Sequence, residues 1–168
     1  MPLNRGSDMP KHVLAKLEAE LKTLKQALLV DIPKEIASAA SHGDLSENAE
    51  YEQALAKRDI YQNKVVAMEK RISKVASLDI TRLPKDKVAY GTWVTLMDLD
   101  CYKEVTYRLV LPEELEDNPD HLSISSPIGS ALVGAAEGDE VKIRIPAGTK
   151  RFEVLGLVTI HQQQGLSI

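Results

Sequence analysis

The pattern of apolar positions divides the chain into two parts of different periodicity. From about residue 10 to residue 80, apolar residues recur at alternating spacings of three and four, as at the a and d positions of a coiled coil. Each helix would then carry one narrow apolar stripe, so two such helices joined by a short link are expected to pair antiparallel. The first stripe contains Leu14, Leu17, Leu21, Leu24 and Leu28, and the second contains Tyr61, Val65, Met68, Ile72 and Val75.

The first stripe shifts by one residue where it continues into Ile32, Ile36 and Ala39. The shift coincides with Pro33, which has no backbone N–H to donate and whose ring crowds the preceding turn of a helix. We therefore predict a kink at Pro33. At about 1.5 Å per residue, two helices of roughly 30 residues would form an arm about 45 Å long.

The segment between the two helical patterns, His42–Glu52, is predicted to form the tip of this hairpin, and it is rich in acidic residues. A structural explanation is available, because Gly43 suits the end of a helix and Asp44 with Glu47 has capping-box spacing. The acidic residues of the segment are Asp44, Glu47, Glu50 and Glu52.

The same tip also has the chemistry of a partial metal site. Carboxylates one helical turn apart, such as Asp44 and Glu47, can bind Mg²⁺, but that ion takes six oxygen ligands and two carboxylates are too few. The tip would therefore complete a metal site built mainly by a partner, and we expect no Mg²⁺ binding by the free tip. Glu50 and Glu52 are interpreted as a solvated helix face.

Four further polar residues on or below the tip are candidates for contacts with a partner or a nucleic acid. Asn48 could orient a water or a carboxylate, and Tyr51 could stack on a base or instead pack across the hairpin. The other two candidates, Lys57 and Arg58, lie about three helical turns below the tip.

The second half of the chain has strand periodicity. Alternating runs rich in β-branched and aromatic residues are separated by turn signals and predict a small, mostly antiparallel sheet. Pro127–Leu132 is predicted as its one short helix, with Ser126 as N-cap. We place the coiled-coil domain at 1–80 and the globular domain at 81–168, and expect a flexible tail from residue 162. The predicted strands are 93–96, 104–110, 122–125, 141–145 and 151–155.

Composition narrows the function classes. A formal net charge of −4 argues against a general nucleic-acid binder, and the single cysteine excludes an intrachain disulfide. The four histidines have no second ligand at metal spacing, so no zinc site is expected. The first residues lack a signal-peptide pattern and no run is apolar enough to cross a bilayer, so we expect a cytoplasmic monomer without membrane contact.

The sequence of the tip resembles that of a known family. Residues 43–51, Gly-Asp-Leu-Ser-Glu-Asn-Ala-Glu-Tyr, are similar to the tip signature of the GreA/GreB transcript cleavage factors of bacterial RNA polymerase. The resemblance covers nearly the whole chain, including both helical segments. In the second half it is carried by residues 90–94 (Tyr-Gly-Thr-Trp-Val), 125–128 (Ser-Ser-Pro-Ile), 131–134 (Ala-Leu-Val-Gly) and 138–141 (Gly-Asp-Glu-Val).

The resemblance implies an α+β fold, in which an antiparallel coiled-coil hairpin precedes an FKBP-like, mostly antiparallel β-sheet domain with one short helix. It also implies a transcription elongation factor whose globular domain docks at the rim of the polymerase secondary channel while the arm enters the channel. Asp44 and Glu47 would help hold a Mg²⁺ shared with the polymerase active site and position the water that cleaves the 3′ end of backtracked nascent RNA. The chain would have no cofactor of its own and would be no enzyme by itself.

Docking on the polymerase is assigned to the densest match in the second half, Ser125, Ser126, Pro127 and Ile128, which could equally be a helix start that packs against the core. The chain departs from the family pattern at Ala40 and Leu55, where many members carry basic residues that contact the extruded RNA. These departures favour a GreA-like over a GreB-like factor.

The departures also leave open an alternative, a channel-binding regulator with weak or no stimulation of cleavage. A prolyl isomerase, suggested by the FKBP-like fold alone, is a third hypothesis of low weight, because fold does not determine function.

Overall fold

The computed structural model describes residues 5–41 and 45–165, with side chains described for residues 11–41 and 48–163. By their contacts these residues fall into two compact units, a helical unit of Pro10–Leu78 and a second unit formed mainly by the residues from Asp79 onward. The division lies two residues before the boundary predicted from the change of periodicity.

The helical unit is a hairpin of long helices. Helix α1 spans Arg5–Gln26, a π-helical turn spans Ala27–Asp31, and helix α2 spans Ile32–Ala40. Helix α3 spans Leu45–Ala76 and packs against α2 and the π-helical turn. The predicted stripes lie at the packed positions: Leu17, Ile32, Ala39, Val65 and Val75 are buried. The remaining predicted stripe residues are half-buried, namely Leu14, Leu21, Leu24, Leu28, Ile36, Tyr61, Met68 and Ile72.

The π-helical turn explains the shift of the stripe. The N–H of Ile32 donates to the carbonyl of Ala27, five residues back, whereas an α-helical bond reaches four residues back. This turn therefore contains one residue more than a regular α-helical turn. One added residue rotates the following helix by about 100°, which moves the apolar stripe by one position. The irregularity therefore lies immediately before Pro33, which occupies the first turn of α2, where a missing N–H is tolerated.

The second unit is a five-stranded sheet, in the order β3-β2-β1-β5-β4. All neighbouring strands are antiparallel except β2 and β3, which are parallel and aligned with Leu109 opposite Leu122. The pairing of β1 with β5 shifts register between Thr95 and Leu96. The strands are β1 (Trp93–Asp98), β2 (Lys103–Val110), β3 (His121–Ser123), β4 (Glu140–Ile145) and β5 (Gly148–Val158), with 3₁₀ turns at Ile80–Arg82 and Pro112–Glu114.

The core of this unit lies on one face of the sheet, beneath a short helix. Alternate residues of β1 are buried, as expected for a half-buried strand. Helix α4, Pro127–Leu132, packs against β4 and buries Leu132, and it has the predicted bounds and N-cap. The core residues are Val88, Val94, Leu96, Leu109, Leu132, Ala135, Ile143, Phe152 and Val154.

The predicted fold class, a helical hairpin followed by a mostly antiparallel sheet with a short helix, is confirmed. Residues 162–165, the beginning of the predicted flexible tail, belong to a second short helix, α5, at Ile160–Gly165. Sequence analysis did not predict α5, because the six residues of this helix include one apolar residue, Ile160, and therefore show no periodicity.

Candidate functional site

Two ion pairs between the helices show which residues lie opposite each other in the helical hairpin. Lys25 Nζ lies 3.2 Å from Glu69 Oε1, and Lys57 Nζ lies 3.0 Å from Glu35 Oε1. Glu35 follows Lys25 in the chain, whereas its partner Lys57 precedes Glu69, so the two strands of the hairpin run antiparallel. The chain therefore reverses direction between the end of α2 at Ala40 and the start of α3 at Leu45, within the segment predicted to be the tip.

The structure gives little information on the two predicted catalytic residues. Asp44 is outside the described residues, as are His42 and Gly43. Glu47 belongs to the first turn of α3, and its side chain is outside the described set. The capping and metal-binding interpretations of Asp44 and Glu47 therefore both stay predictions.

The helices meet closely just below the tip. Ala39 of α2 is 7% exposed and Ala54 of α3 is 6% exposed, so a small side chain is buried on each helix there. Small residues at a helix interface allow the backbones to approach.

An open groove runs between α2 and α3 on this part of the arm. Its charged lining residues are two lysines and two glutamates, so the groove is locally neutral and has no excess positive charge for binding phosphate. We refer to it as the tip-proximal groove. It is lined by Lys34, Glu35, Ser38, Ala39, Glu50, Gln53, Ala54 and Lys57.

Lys57 is engaged across this groove. Its ammonium donates to both carboxylate oxygens of Glu35, at 3.0 and 3.2 Å. The hydrogen bond to Glu35 raises the pKa of Lys57 above 10.5, with further support from the negative charge of the same carboxylate. Lys57 thus stays protonated at neutral pH, but its charge is balanced by Glu35.

The other predicted RNA contacts are distributed around α3. Asn48 is exposed, whereas Tyr51 is half-buried. Arg58 does not line the tip-proximal groove. Its Nε lies 3.7 Å from Asp59 Oδ1 and has no hydrogen-bond partner among the described residues. The structure therefore does not gather Lys57 and Arg58 into one basic patch.

The predicted docking residues have a structural role that is visible in the sheet domain. Ser126 Oγ accepts a hydrogen bond from the Gly129 N–H at 3.0 Å and donates to the Ser123 carbonyl at 2.7 Å. Ile128 packs against the core cluster. Of the four residues, Ser125 and Pro127 are exposed and offer surface to a partner.

Comparison with known proteins identifies the family. The model of the transcription elongation factor GreA/GreB N-terminal domain matches residues 9–76, and that of the C-terminal domain matches residues 83–158. The chain belongs to the GreA/GreB family of transcription elongation factors. The two matched regions follow the two units of the structure.

Relatives within the GreA/GreB family are similar over most of their length. The transcription elongation factor GreA of Hyphomonas neptunium is 38% identical over 144 residues, covering 86% of this chain and 92% of the relative. GreA of Rickettsia prowazekii is 41% identical over 140 residues, covering 83% and 86%. Among solved structures, a GreA/GreB elongation factor from Nitrosomonas europaea is 25% identical with a TM-score of 0.40, covering 54% of this chain and 78% of that one.

Two negative observations apply to the described part of this GreA/GreB family member. No three His, Cys, Asp or Glu side chains among the described residues lie close enough to hold a metal ion. None of the described helices is long and apolar enough to cross a membrane.

Sequence analysis missed one residue of the site, Glu35. The signal was present, because in an antiparallel hairpin that turns within residues 42–52 the residues that face each other are equally distant from the turn. Glu35 and Lys57 satisfy that condition. Ala40 is exposed and Leu55 is half-buried, and neither of these two positions, which depart from the family pattern, lines the groove.

Proposed function

We propose that this chain is a GreA-like elongation factor that stimulates the RNA polymerase to cleave backtracked nascent RNA and so rescues arrested complexes. The observation that carries the proposal is the position of the acidic segment. The hairpin register supports a reversal of chain direction inside residues 42–52, and the curated relatives of the chain are transcription elongation factors.

The proposed chemical role of the tip belongs to two carboxylates. Asp44 and Glu47 offer hard oxygen donors, which suit Mg²⁺, but they are too few to hold the ion without a partner. In the complex they would share a Mg²⁺ that the polymerase active site holds, and that ion would supply the activation of the attacking water. The chain's own part is to deliver and orient the carboxylates, so it hydrolyses nothing alone.

Residues of the arm would guide the RNA 3′ end toward those carboxylates. Asn48, exposed at the start of α3, is placed to donate or accept a hydrogen bond near the tip. Tyr51 and Arg58 are both half-buried, so each presents part of its side chain for stacking or a phosphate contact. Lys57 contributes less, because Glu35 balances its charge.

Docking is assigned to the secondary-channel rim of the polymerase through the start of α4. Ser125 and Pro127 supply the exposed surface, while Ser126 and Ile128 hold that surface in place from below. The proposed factor acts as a monomer in the cytoplasm.

The decisive experiment adds the chain to stalled, backtracked elongation complexes in the presence of Mg²⁺. Shortening of the nascent RNA at its 3′ end is expected, and Asp44→Ala and Glu47→Ala should remove it while the affinity for polymerase stays unchanged. Glu52→Gln is the matched control, because it removes an acidic charge from an exposed position of the same segment.

Two results would count against the proposal. Persistence of full-length RNA with the wild-type chain bound would contradict cleavage stimulation. Loss of polymerase binding in Asp44→Ala would assign Asp44 to the structure of the tip rather than to chemistry.

A further inference from the structure

The C-terminal helix α5 lies beyond the region that either family model matches, since the C-terminal match ends at residue 158. Its first turn is closed by reciprocal hydrogen bonds between Thr159 and Gln162. The Thr159 N–H donates to Gln162 Oε1 at 2.8 Å, and the Gln162 N–H donates to Thr159 Oγ1 at 3.4 Å. This capping box defines where the helix begins, although the helix has only six residues.

Helix α5 is packed onto the sheet domain at one glycine. Ile160 is 1% exposed. Gly91 has φ +81, and a Cβ added to it would lie 2.8 Å from Ile160 Cδ1. Glycine is therefore favoured at position 91 for two reasons: the backbone is in the left-handed region, and Ile160 occupies the space that a Cβ would need.

Two side chains of α5 then bind the segment that leads from the arm into the sheet. His161 Nε2 lies 2.8 Å from the Leu83 carbonyl oxygen, so the ring N–H donates to that oxygen. Gln163 Nε2 donates to the Gly91 carbonyl at 2.7 Å and to the Val158 carbonyl at 3.0 Å. Both ends of the segment Leu83–Gly91, here called the linker, are thus attached to α5.

The linker needs such attachment at its first residues. Residues 84–87 are exposed, so they bury almost no apolar surface. Backbone bonds to the sheet domain begin at Lys87 and Val88, where Val88 N–H donates to the Ala135 carbonyl at 2.8 Å. The contact between His161 and the Leu83 carbonyl therefore holds the linker at its first residue, on the side nearest to the arm.

We propose that α5 is a latch on the linker and that His161 is a positioning residue for cleavage. The hydrogen bond from His161 to the Leu83 carbonyl fixes the position at which the chain leaves the sheet domain toward α3. When the sheet domain is docked, this restricts the positions available to the tip. The inference rests on the proposed function, in which a docked sheet domain and a channel-inserted arm must act together.

The test compares wild type with His161→Ala and with His161→Gln, which keeps an N–H donor on a side chain of similar reach. Hydrogen exchange is measured at the Arg82, Leu83 and Val88 amides, whose N–H groups are bonded to carbonyls in this region. We expect exchange to rise about fivefold in His161→Ala, the change expected from the loss of one net hydrogen bond, and to be restored in His161→Gln. His12→Ala, which removes an exposed histidine of α1, is the matched control.

The functional readout is RNA cleavage as a function of factor concentration. If α5 acts as a latch, His161→Ala should lower the RNA cleavage rate at saturating factor concentration, because the tip is no longer positioned correctly. The factor concentration that gives half of the maximal rate should stay unchanged, because docking of the sheet domain is intact. Unchanged exchange at all three amides would overturn the latch. Faster exchange with an unchanged saturating rate would overturn the positioning role. Failure of wild type to stimulate cleavage would contradict the proposed function instead, and the exchange experiment does not depend on cleavage.

Discussion

The ammonium of Lys57 lies 3.0 and 3.2 Å from the two carboxylate oxygens of Glu35, on the opposite helix of the arm. Both side chains are close to half exposed, at 44% and 47%. An ion pair in that setting contributes little to stability, because water screens it and two long side chains lose freedom. Its larger consequence is electrostatic, since it neutralises a lysine on the part of the arm that would approach RNA.

Glu35→Gln is therefore expected to increase cleavage stimulation. Loss of the carboxylate releases Lys57 as a free positive charge, and we expect the cleavage rate to rise roughly two- to threefold at low ionic strength, a factor typical of an exposed ion pair. The gain should shrink as salt is added. Quantified RNA shortening at several salt concentrations measures both effects.

The matched control is the pair of variants Lys57→Met and Glu35→Gln/Lys57→Met. If Glu35 acts by masking Lys57, the double variant should cleave like Lys57→Met alone. A gain that persists without Lys57 would mean that Glu35 repels RNA directly, and the masking explanation would be wrong.

Much of the architecture was predictable because the spacing of apolar residues in the sequence matches the spacing of buried residues in the structure. This spacing is three and four residues in the helices and two in the strands. The one-residue shift at Ile32 and the presence of Pro33 indicated an irregular helix, although only the structure identifies it as a π-helical turn. The cap of α4 was predictable from Ser126 followed by Pro127, which are local signals.

What could not be predicted depends on contacts between residues far apart in sequence. Helix α5 has too few residues for a stable isolated helix. It is held instead by bonds such as that from His161 to Leu83, which lie 78 positions apart. The equal distance of Glu35 and Lys57 from the turn indicated that they lie near each other, but the apolar stripe defines the register only to within a turn of helix, so the pair itself is identified by the structure.

Asp98→Asn should reveal a pH-dependent contribution to stability in the sheet domain. Asp98 accepts from the Asp100 N–H at 2.9 Å and from Lys150 Nζ at 3.1 Å. The backbone hydrogen bond first, and then the bond to Lys150, lower the pKa of Asp98 below 3.8. A lowered folded-state pKa stabilises the fold above the unfolded value, and that stabilisation is lost as pH falls through the folded-state pKa.

Urea unfolding at a series of pH values tests this. Wild type should be more stable than Asp98→Asn at pH 7, and the difference should disappear progressively below pH 3.8. Asp100→Asn is the control, because its carboxylate is 45% exposed and lies 4.0 Å from Arg151. A difference between wild type and Asp98→Asn that is the same at all pH values would contradict an ionic origin.

Gly129→Ala should be among the most destabilising single changes in the sheet domain. A Cβ at residue 129 would collide with the Ser123 carbonyl oxygen, which is backbone and cannot rotate away. We expect a loss of about 3 kcal/mol, at the upper end of what overpacking usually costs. Gly156→Ala is the control, because an added Cβ there has no neighbour within 4 Å. Equal unfolding midpoints of the two variants would show that the turn before α4 can relax.

Tyr90→Phe should change how the chain responds to alkaline pH. Tyr90 is 3% exposed, and its hydroxyl donates to Glu114 Oε1 at 2.9 Å. The same oxygen accepts from the Leu111 N–H at 3.2 Å, so the carboxylate links the phenol to the turn after β2. Burial first, and then the negative charge of Glu114, raise the pKa of Tyr90 well above 10.0.

A raised pKa means that the folded state holds its proton while the unfolded state releases it. Stability supplied by neutral Tyr90 is therefore complete below pH 10.0 and declines as pH rises above that value. Tyr90→Phe should lose about 1 to 2 kcal/mol at pH 7 through the missing hydrogen bond to a charged acceptor, but its stability should fall less steeply between pH 10 and pH 11. Thermal or urea unfolding across that range measures the slope. Parallel slopes for wild type and Tyr90→Phe would mean that another group controls alkaline unfolding, whereas a flatter slope in the variant assigns the effect to the buried phenol.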